Sequence, residues 1–438
     1  MSEPASDRIL RGQTLSFRAD PFSVPPEEAI THHQDGAVLL RDGRIAAVGP
    51  AADILADAPP DLPLTHHGRD LIMAGFIDAH VHYPQTGIIA SYGTQLLDWL
   101  QTYTFPEELR FADPAYAETV ADLFLDLALA NGITSAGVFC TVHPVSVDRF
   151  FAAAEARGLA MVAGKVCMDR HAPDGLCDTP ASAHDDSKAL IERWHGRGRG
   201  RYAITPRFAP TSSPEQLEAL GALWAAHPEV AMQTHLSENH DEIAWVADLF
   251  PDAPDYLGVY EHFGLVGPGA LFGHALHLTD RERAVLAERG AAVAHCPTSN
   301  LFIGSGLFDL QGLCGGDAPV PVGLATDVGG GSAFSIFDTM KTAYEVAQLR
   351  GVSLHPARAF WLATQGSADA VGLGDEIGNL APGRDADLVV LDLAATPVLA
   401  QRVARAESLV ECLFALMILG DDRAVRATYA GGRMVHRR

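Results

Sequence analysis

The sequence predicts an α/β protein whose main domain is a (β/α)8 TIM-like barrel, with a small β-sandwich domain built from both termini. Apolar, strand-like runs alternate with Ala/Leu-rich helical stretches through the middle of the chain, as in AMQTHLS after PEQLEALGALWAAH. Such strands, without polar alternation, are typical of a parallel sheet that is covered on both faces. Roughly eight of these runs, the last ending in PVGLATDV near Asp327, favour a closed barrel over an open sheet.

Both ends of the chain have a different, strand-rich pattern. In residues 36–50, apolar side chains alternate around an Asp-Gly pair, which predicts a hairpin. A similar pattern returns after Arg384 and after Ala427, the second time around Gly431 and Gly432. We therefore predict a β domain from residues 1–74 and 384–438, and a metal-dependent hydrolase barrel from residues 75–383.

Composition narrows the classes of partner and the compartment. The 438 residues include 55 acidic and 31 basic side chains, for a formal net charge of −24. A surface of this charge repels phosphate backbones and anionic lipid headgroups, so we expect neither nucleic acid nor membrane as a partner. Six cysteines lack CxxC spacing and no export signal or 18-residue apolar run is present, which predicts a cytoplasmic protein.

The strongest local signal for chemistry is the segment AGFIDAHVHYPQ, in which His80 and His82 stand at the end of an apolar strand. In a strand, residues two apart point to the same face, so both imidazoles can reach one ion. The carboxyl end of a strand is also where a barrel of this class keeps its active site.

Metal-capable residues recur at the ends of later strands. They are His235 in QTHLSEN, His274 in LFGHALHL and Asp327 in GLATDVGGG. Three or four such residues that meet at the barrel mouth predict a catalytic zinc site with an open position for water. Two further histidines, His277 and His295, are interpreted as supporting or packed side chains outside the ligand set.

The order of these residues resembles that of the amidohydrolase superfamily. The resemblance extends over nearly the whole chain, and it is closest to the guanine deaminase branch. It is carried by DAHVHYPQ, LLDWLQTYTFPEELRF, GKVCMDR, ITPRFAPTSS, QTHLSEN, AHCPTSNLFIGSGLF, ATDVGGGSAFSIFDTM and LGDDRAVRATYAGGRMV. Ala74 stands where a proline is commoner in the family, and Tyr83-Pro84 fills the variable gap before Gln85.

The resemblance implies one metal ion per subunit, with zinc expected rather than iron. Its ligands would be His80, His82, His235 and Asp327, and Asp327 would also accept the proton of the attacking water. Two-metal members of the superfamily use a carboxylated lysine to bridge the ions. The matching segment YAITPRFAP carries Arg207 and Phe208 instead, which predicts a single ion, and Lys165 is the one lysine near a strand end that could contradict this.

Roles beyond metal binding follow from the same pattern. Glu238, three residues after His235, is expected to be the general acid, because one carboxyl group can protonate the ring and then the leaving ammonia. His274 would orient the nucleophile, with weak metal ligation as the alternative. The substrate contacts implied by the resemblance are Gln85, Arg207, Phe208, His82 and, as a pocket wall or core residue, Trp99.

The expected reaction is hydrolytic deamination of guanine, in purine catabolism or salvage, by a homodimer. The alternatives are a deaminase or chlorohydrolase that acts on another heterocycle, such as 8-oxoguanine, an s-triazine or cytosine. A scaffold that keeps the fold and has lost its chemistry is a third hypothesis. The His-x-Glu and Pro-Cys-x-x-Cys signature of the nucleoside and polynucleotide deaminases is absent from the sequence.

Overall fold

The computed structural model describes residues 7–93 and 95–438, in which the strands form two sheets. Residues 1–6 of the predicted segment 1–74, and Thr94 of the segment 75–383, lie outside the described residues. The strands are β1 Arg8–Phe17, β2 Ile30–Arg41, β3 Arg44–Pro50, β4 Leu64–Ala74, β5 Phe76–His82, β6 Ile133–Phe139, β7 Ala160–Gly164, β8 Val166–Cys167, β9 Arg201–Pro206, β10 Ala231–Leu236, β11 Ala270–His274, β12 Ala292–His295, β13 Val322–Leu324, β14 Leu388–Leu391, β15 Val425–Ala430 and β16 Arg433–Arg437.

The larger sheet is a parallel barrel. Its strands follow the order β13-β12-β11-β10-β9-β7-β6-β5, and the short β8 pairs with β9 beside this path. Two backbone hydrogen bonds join β5 to the segment after β13, from Asp327 N to His80 O at 3.0 Å and from His82 N to Val328 O at 2.8 Å. The predicted (β/α)8 barrel is therefore confirmed, and its first and last strands meet at the metal-capable residues.

The helices that follow the barrel strands cover its outer face. They include α4 Pro114–Ala130 after the first barrel strand and α5 Pro144–Arg157 after the second. The α-helices of the described residues, whether or not they cover the barrel, are α1 Ala51–Asp57, α2 Leu96–Trp99, α3 Phe105–Glu108, α4, α5, α6 Pro180–Trp194, α7 Pro214–Ala226, α8 His240–Leu249, α9 Tyr256–His262, α10 Asp280–Arg289, α11 Pro297–Phe302, α12 Leu310–Cys314, α13 Ile336–Leu349, α14 Pro356–Leu362, α15 Gln365–Ala370, α16 Pro397–Val403 and α17 Leu409–Leu419. No described helix has the length and apolar character needed to cross a membrane.

The smaller sheet combines strands from both ends of the chain. Its order is β16-β15-β14-β4-β1-β2-β3, and the pairing of Leu388 with Ala74 joins the C-terminal strands to the N-terminal ones. The predicted hairpins are confirmed as β2–β3 and β15–β16. Asp42 and Gly43 turn the first hairpin with φ of 50° and 78°, the left-handed pair that a tight hairpin turn needs.

Candidate active site

The predicted metal-binding residues meet at the carboxyl ends of the barrel strands. His80 and His82 lie at the end of β5, His235 is the next-to-last residue of β10, and His274 ends β11. Ligand atoms of His80, His82 and Asp327 lie within 4.8 Å of one another, as do those of His80, His235 and His274. Both groups are buried, so side chains that are far apart in sequence form one polar cluster inside an apolar barrel.

The strand ends turn sharply where these side chains enter the site. Ser237, His274 and Asp327 have φ of 48°, 68° and 50°, in the left-handed region that residues other than glycine rarely adopt. Such a conformation costs about 1–3 kcal/mol per residue and persists only where the surrounding structure enforces it. Its recurrence at three strand ends around one cluster is typical of a functional site.

The tautomer of His235 is fixed by the backbone of Arg207. Nδ1 of His235 lies 2.6 Å from the carbonyl oxygen of Arg207, which can only accept a hydrogen bond, so Nδ1 carries the proton. The lone pair of Nε2 then faces Nε2 of His82 across 3.1 Å. Burial lowers the pKa of both histidines well below the ordinary value, so both rings are neutral.

This arrangement fits a metal ion. Among the described residues, both ring nitrogens of His80 and Nδ1 of His82 are buried without a hydrogen-bond partner. Oδ1 of Asp327 lies 3.5 Å from Nε2 of His80 and 3.6 Å from Nε2 of His82. Two ligands of a tetrahedral zinc ion, each at about 2.0–2.1 Å from the metal, are about 3.3 Å apart, close to these separations. Neutral imidazoles and one carboxylate are also the donors that zinc prefers.

Asp327 stays ionised in this cluster. Burial raises the pKa of its carboxyl, but the imidazole of His80, 3.5 Å away, and the charge of His274 outweigh burial and bring the pKa to about 2. Oδ2 of Asp327 lies 3.7 Å from Nε2 of His274. One carboxylate oxygen therefore lies nearest to His80 and His82, and the other lies nearest to His274.

Glu238 is buried beside this cluster. Its Oε2 lies 3.4 Å from Nε2 of His274, and its Oε1 accepts a 3.0 Å hydrogen bond from Oγ of Ser305. Burial raises the pKa of Glu238 to about 7. The backbone is fixed as well, because Oε2 of Glu242 accepts hydrogen bonds from the amides of Glu238 and Asn239 at 2.9 and 3.1 Å. A carboxyl group with this pKa can hold or release a proton near neutral pH.

The imidazole of His274 is held in place at Nδ1 by the side chain of Asn300. Its Nδ1 lies 2.8 Å from Oδ1 of Asn300, an acceptor, so Nδ1 carries a proton, and Nε2 faces Glu238 and Asp327. Burial lowers the pKa of His274, but the two carboxylates outweigh it and the net shift is upward. His274 therefore lies at the junction of both carboxylates.

The cluster opens into a pocket that is lined by both polar and apolar side chains. The lining residues include every predicted substrate contact, and they are His82, Gln85, Leu96, Trp99, Leu100, Arg207, Phe208, His235, Glu238, His274, Ile303, Asp327 and Gly330. Gln85 follows β5 in a short helical turn, and Arg207 and Phe208 follow β9 directly. The apolar side chains come mainly from the segment around α2. The pocket thus offers flat apolar surface beside hydrogen-bonding groups, as ligand sites commonly do.

Three functional positions were not anticipated from the sequence. Glu108 is fully buried at the end of α3 and contacts both Arg207 and Gln85. Ser305 and Asn300 hold Glu238 and His274. All three lie in segments quoted for the family resemblance, but only their spatial neighbours reveal what they do.

The remaining candidates lie apart from the ligand cluster. His295 is buried with its ring stacked on Phe308 at 4.2 Å between centroids. Nε2 of His277 lies 2.9 Å from the carbonyl oxygen of Ser305. Lys165 is buried in an ion pair with Asp178, so its ammonium group is occupied there.

Comparisons with known proteins agree with this geometry. The family model described as "Amidohydrolase family" matches residues 71–435, and a short match to an imidazolonepropionase-like composite domain of bacteria covers residues 36–60. The guanine deaminase of Escherichia coli (strain K12) is 46% identical over 416 residues, which cover 94% of each chain.

Solved structures extend the likeness to the whole fold. The structure of E. coli guanine deaminase has a TM-score of 0.96 at 44% identity, covering 98% of this chain and 100% of that one. That of the guanine deaminase from C. acetobutylicum, with bound guanine in the active site, has a TM-score of 0.87 at 27% identity, again covering 98% and 100%. The extent of the family match and of these likenesses establishes that the chain belongs to the amidohydrolase family.

Proposed function

We propose that this protein hydrolyses guanine to xanthine and ammonia, with one zinc ion per subunit. The observation that carries the proposal is the pocket itself, where Arg207 and Gln85 face the same space as Glu238 and the histidine cluster. The 46% identity to the E. coli guanine deaminase over 94% of both chains supports the same substrate. The likeness to a structure with bound guanine supports a purine-sized ligand.

The residues that would hold the ion are His80, His82, His235 and Asp327. Zinc in such a site lowers the pKa of a bound water towards about 7 and so supplies a nucleophile at neutral pH. Neutral rings and an ionised carboxylate are already in place, since burial keeps the histidines uncharged and Asp327 has a pKa of about 2.

Proton transfers would be divided between two carboxyl groups. Asp327 accepts a proton from the attacking water through Oδ2, the oxygen that lies 3.7 Å from Nε2 of His274. Glu238, with a pKa of about 7, gives its proton to the ring nitrogen beside the attacked carbon C2. After attack, the proton held by Asp327 is passed through the Glu238 carboxylate to the amino group, the C–N bond breaks, and ammonia departs. The hydroxyl left on C2 gives its proton to Glu238 as the carbonyl forms, which restores both carboxyl groups to their starting states. His274 orients the water by a hydrogen bond.

Substrate recognition would use both polar and aromatic side chains that line the pocket. The guanidinium of Arg207 can donate to the carbonyl oxygen and ring nitrogen at one edge of guanine, and the amide of Gln85 offers both a donor and an acceptor. Phe208 and Trp99 supply aromatic surface for the purine face.

The test is a substrate panel on metal-loaded protein. Ammonia release is measured with guanine, 8-oxoguanine, adenine, cytosine and an aminotriazine, before and after chelation and after zinc is returned. Guanine should be the best substrate, with xanthine as product, and chelation should abolish turnover reversibly. Absence of guanine turnover by zinc-replete protein would contradict the proposal.

A second candidate is a hydrolase of another heterocycle. The metal cluster and Glu238 would serve a chlorohydrolase or a different deaminase equally well, so discrimination depends on Arg207. The variant Arg207→Ala should lose guanine turnover while its zinc content stays at one equivalent. Turnover of an aminotriazine that exceeds turnover of guanine in the unmodified protein would favour this candidate.

Assembly, location and domain division belong to the same proposal. Family resemblance supports a homodimer, and the composition supports a cytoplasmic enzyme without nucleic-acid or membrane partners. Residues 75–383 would form the barrel domain, with residues 1–74 and 384–438 in the second domain. Light scattering of the purified protein tests the dimer, and a mass of one subunit, 46.6 kDa, would contradict it.

A further inference from the structure

We propose that Glu108 is a positioning and specificity residue that prepares the pocket for a neutral purine and excludes anionic ones. It would do so by orienting Arg207 and Gln85 and by cancelling the positive charge of Arg207. The inference rests on the proposed function, because the ligand concerned is the purine in that pocket.

Glu108 contacts both polar residues that we propose to bind the substrate, Arg207 and Gln85. Nη1 of Arg207 lies 2.9 Å from Oε1 and 2.7 Å from Oε2 of Glu108, and Nε2 of Gln85 donates to Oε1 at 3.1 Å. The side chain of Glu108 is 0% exposed and that of Arg207 is 3% exposed. One carboxylate, closed off from water, therefore holds both predicted substrate contacts.

Glu108 leaves the rest of the Arg207 guanidinium for a ligand. Among the described residues, both side-chain hydrogen bonds of Arg207 start from Nη1. The planar group cannot rotate without breaking this pair, so the donors on Nε and Nη2 have a fixed direction. Arg207 still lines the pocket in this orientation.

Glu108 also decides which end of the Gln85 amide is the donor. An ionised carboxylate can only accept, so the NH2 group must face Glu108, and Oε1 accepts from the amide of Gly329 at 3.2 Å. Without the carboxylate, the amide could turn over and exchange its donor and acceptor. The hydrogen-bond pattern that Gln85 presents to a purine therefore depends on Glu108.

The charge of the pair gives the specificity. Guanine is neutral near pH 7, whereas the product carries a second ring carbonyl, which makes its ring N–H groups more acidic and partly ionised in alkaline solution. An unpaired buried arginine would attract such an anion strongly, because opposite charges interact more strongly where water is excluded. Glu108 cancels the charge of Arg207 and so limits capture of the anionic product.

The neighbouring residue Glu107 supplies a matched control. It is also largely buried, but its carboxylate pairs with Arg110 at 3.0 Å and with the hydroxyl of Tyr116, and none of these three residues lines the pocket. Replacement of Glu107 by glutamine therefore removes a charge from the same helix without removing a contact to Arg207 or Gln85.

The experiment compares Glu108→Gln, Glu108→Asp and Glu107→Gln as zinc-loaded proteins. Hydrogen bonds to charged groups imply that Glu108→Gln raises KM for guanine about tenfold or more, with kcat changed less than about threefold. Inhibition by xanthine in alkaline buffer should become about tenfold tighter. Zinc content should stay at one equivalent, and Glu107→Gln should leave both constants within about twofold of the unmodified protein.

The aspartate variant separates orientation from charge and tests the inference even if Glu108→Gln does not fold. It keeps the negative charge on a shorter arm, so KM for guanine should rise while xanthine inhibition stays unchanged. Unchanged KM and unchanged inhibition in the folded Glu108 variants would overturn the role of Glu108 alone. Absence of guanine turnover in the unmodified protein would instead overturn the proposed function.

Discussion

Ser305 and Glu238 are joined by a buried hydrogen bond, 3.0 Å from Oγ to Oε1. The backbone of Ser305 is held in turn, because Nε2 of His277 lies 2.9 Å from its carbonyl oxygen. With Oε1 anchored in this way, Oε2 of Glu238 is directed to His274, 3.4 Å away. Ser305 therefore positions the carboxyl group that we propose as the proton donor.

Replacement of Ser305 by alanine should lower kcat about tenfold, since a hydrogen bond to a charged or titrating group is worth about 1.5–3 kcal/mol and part of that is lost as misorientation. KM for guanine and zinc content should change little. Steady-state kinetics with zinc in excess measure the effect, and Ser305→Thr, which keeps a hydroxyl, should restore part of it. Equal kcat in the alanine variant and the unmodified protein would show that Glu238 needs no such anchor.

Replacement of Glu238 by glutamine should remove proton transfer and leave binding intact. Glutamine has nearly the same shape but cannot donate and regain a proton, so kcat should fall about 10²- to 10⁴-fold, the usual contribution of general acid–base catalysis. KM for guanine should stay within a few-fold of the original value. Stopped-time assays of ammonia release provide the measurement, and retention of more than about a tenth of kcat would assign the acid role elsewhere.

The role of His274 can be separated from that of the metal ligands. Its Nε2 faces two carboxylates at 3.4 and 3.7 Å, so we expect it to orient the nucleophile rather than hold the ion. His274→Ala should therefore retain about one zinc equivalent and lose about 10²-fold or more in kcat. His82→Ala, measured in parallel by metal analysis, should lose zinc. Loss of zinc from both variants to the same extent would make His274 a ligand.

The absence of a side chain at Gly273 provides the space that the imidazole of His80 occupies. A Cβ atom at this position would lie 2.8 Å from Cε1 and 3.0 Å from Nδ1 of His80, inside normal contact distance. We expect Gly273→Ala to displace the imidazole and weaken zinc binding about 10- to 100-fold, as loss of ligand-orienting contacts does. Gly49→Ala, whose Cβ would meet only Ile54 at 3.8 Å, is the control. Competition with a chelator measures the affinity, and equal affinities would show that His80 can move.

The fold and the meeting of the histidines with Asp327 were predictable because their signals are local. His80 and His82 are two residues apart on one strand, and strand direction alone brings them to the barrel mouth with His235 and Asp327. The Asp42-Gly43 turn is equally local, because a left-handed pair has few sequence solutions. Patterns of this kind can be recognised in the sequence without knowledge of the tertiary structure.

Glu108 and Ser305 were not predictable for the opposite reason. Glu108 precedes its partner Arg207 by 99 residues, and Ser305 follows Glu238 by 67. A glutamate at the end of a short helix is usually interpreted as a solvated charge, and nothing in FPEELRF marks which of Glu107 and Glu108 contacts Arg207. Only the packed structure shows it. The exact division of the chain at residues 74 and 383 also stays a prediction.

His295 gives a test of stability that is separate from catalysis. Its ring is buried against Phe308, and burial lowers the pKa of His295 from 6.5 to about 3. The folded state therefore keeps this ring neutral, whereas the unfolded chain binds a proton below about pH 6.5, so stability should fall as pH drops from about 6.5 towards 3. The single group accounts for up to about 1.4 kcal/mol per pH unit in that window.

The variant His295→Phe keeps a flat ring on Phe308 and removes the titrating group. We expect its free energy of unfolding, measured by urea titrations, to decrease between pH 7 and about 5. This decrease should be about 1–2 kcal/mol smaller than the decrease in the unmodified protein. A chelator in both samples removes the separate effect of pH on metal binding. Because only the difference in pH slope is read, a uniform loss of stability in the variant does not disturb the result. Parallel slopes for the two proteins would mean that His295 takes up a proton in the folded state as readily as in the unfolded chain.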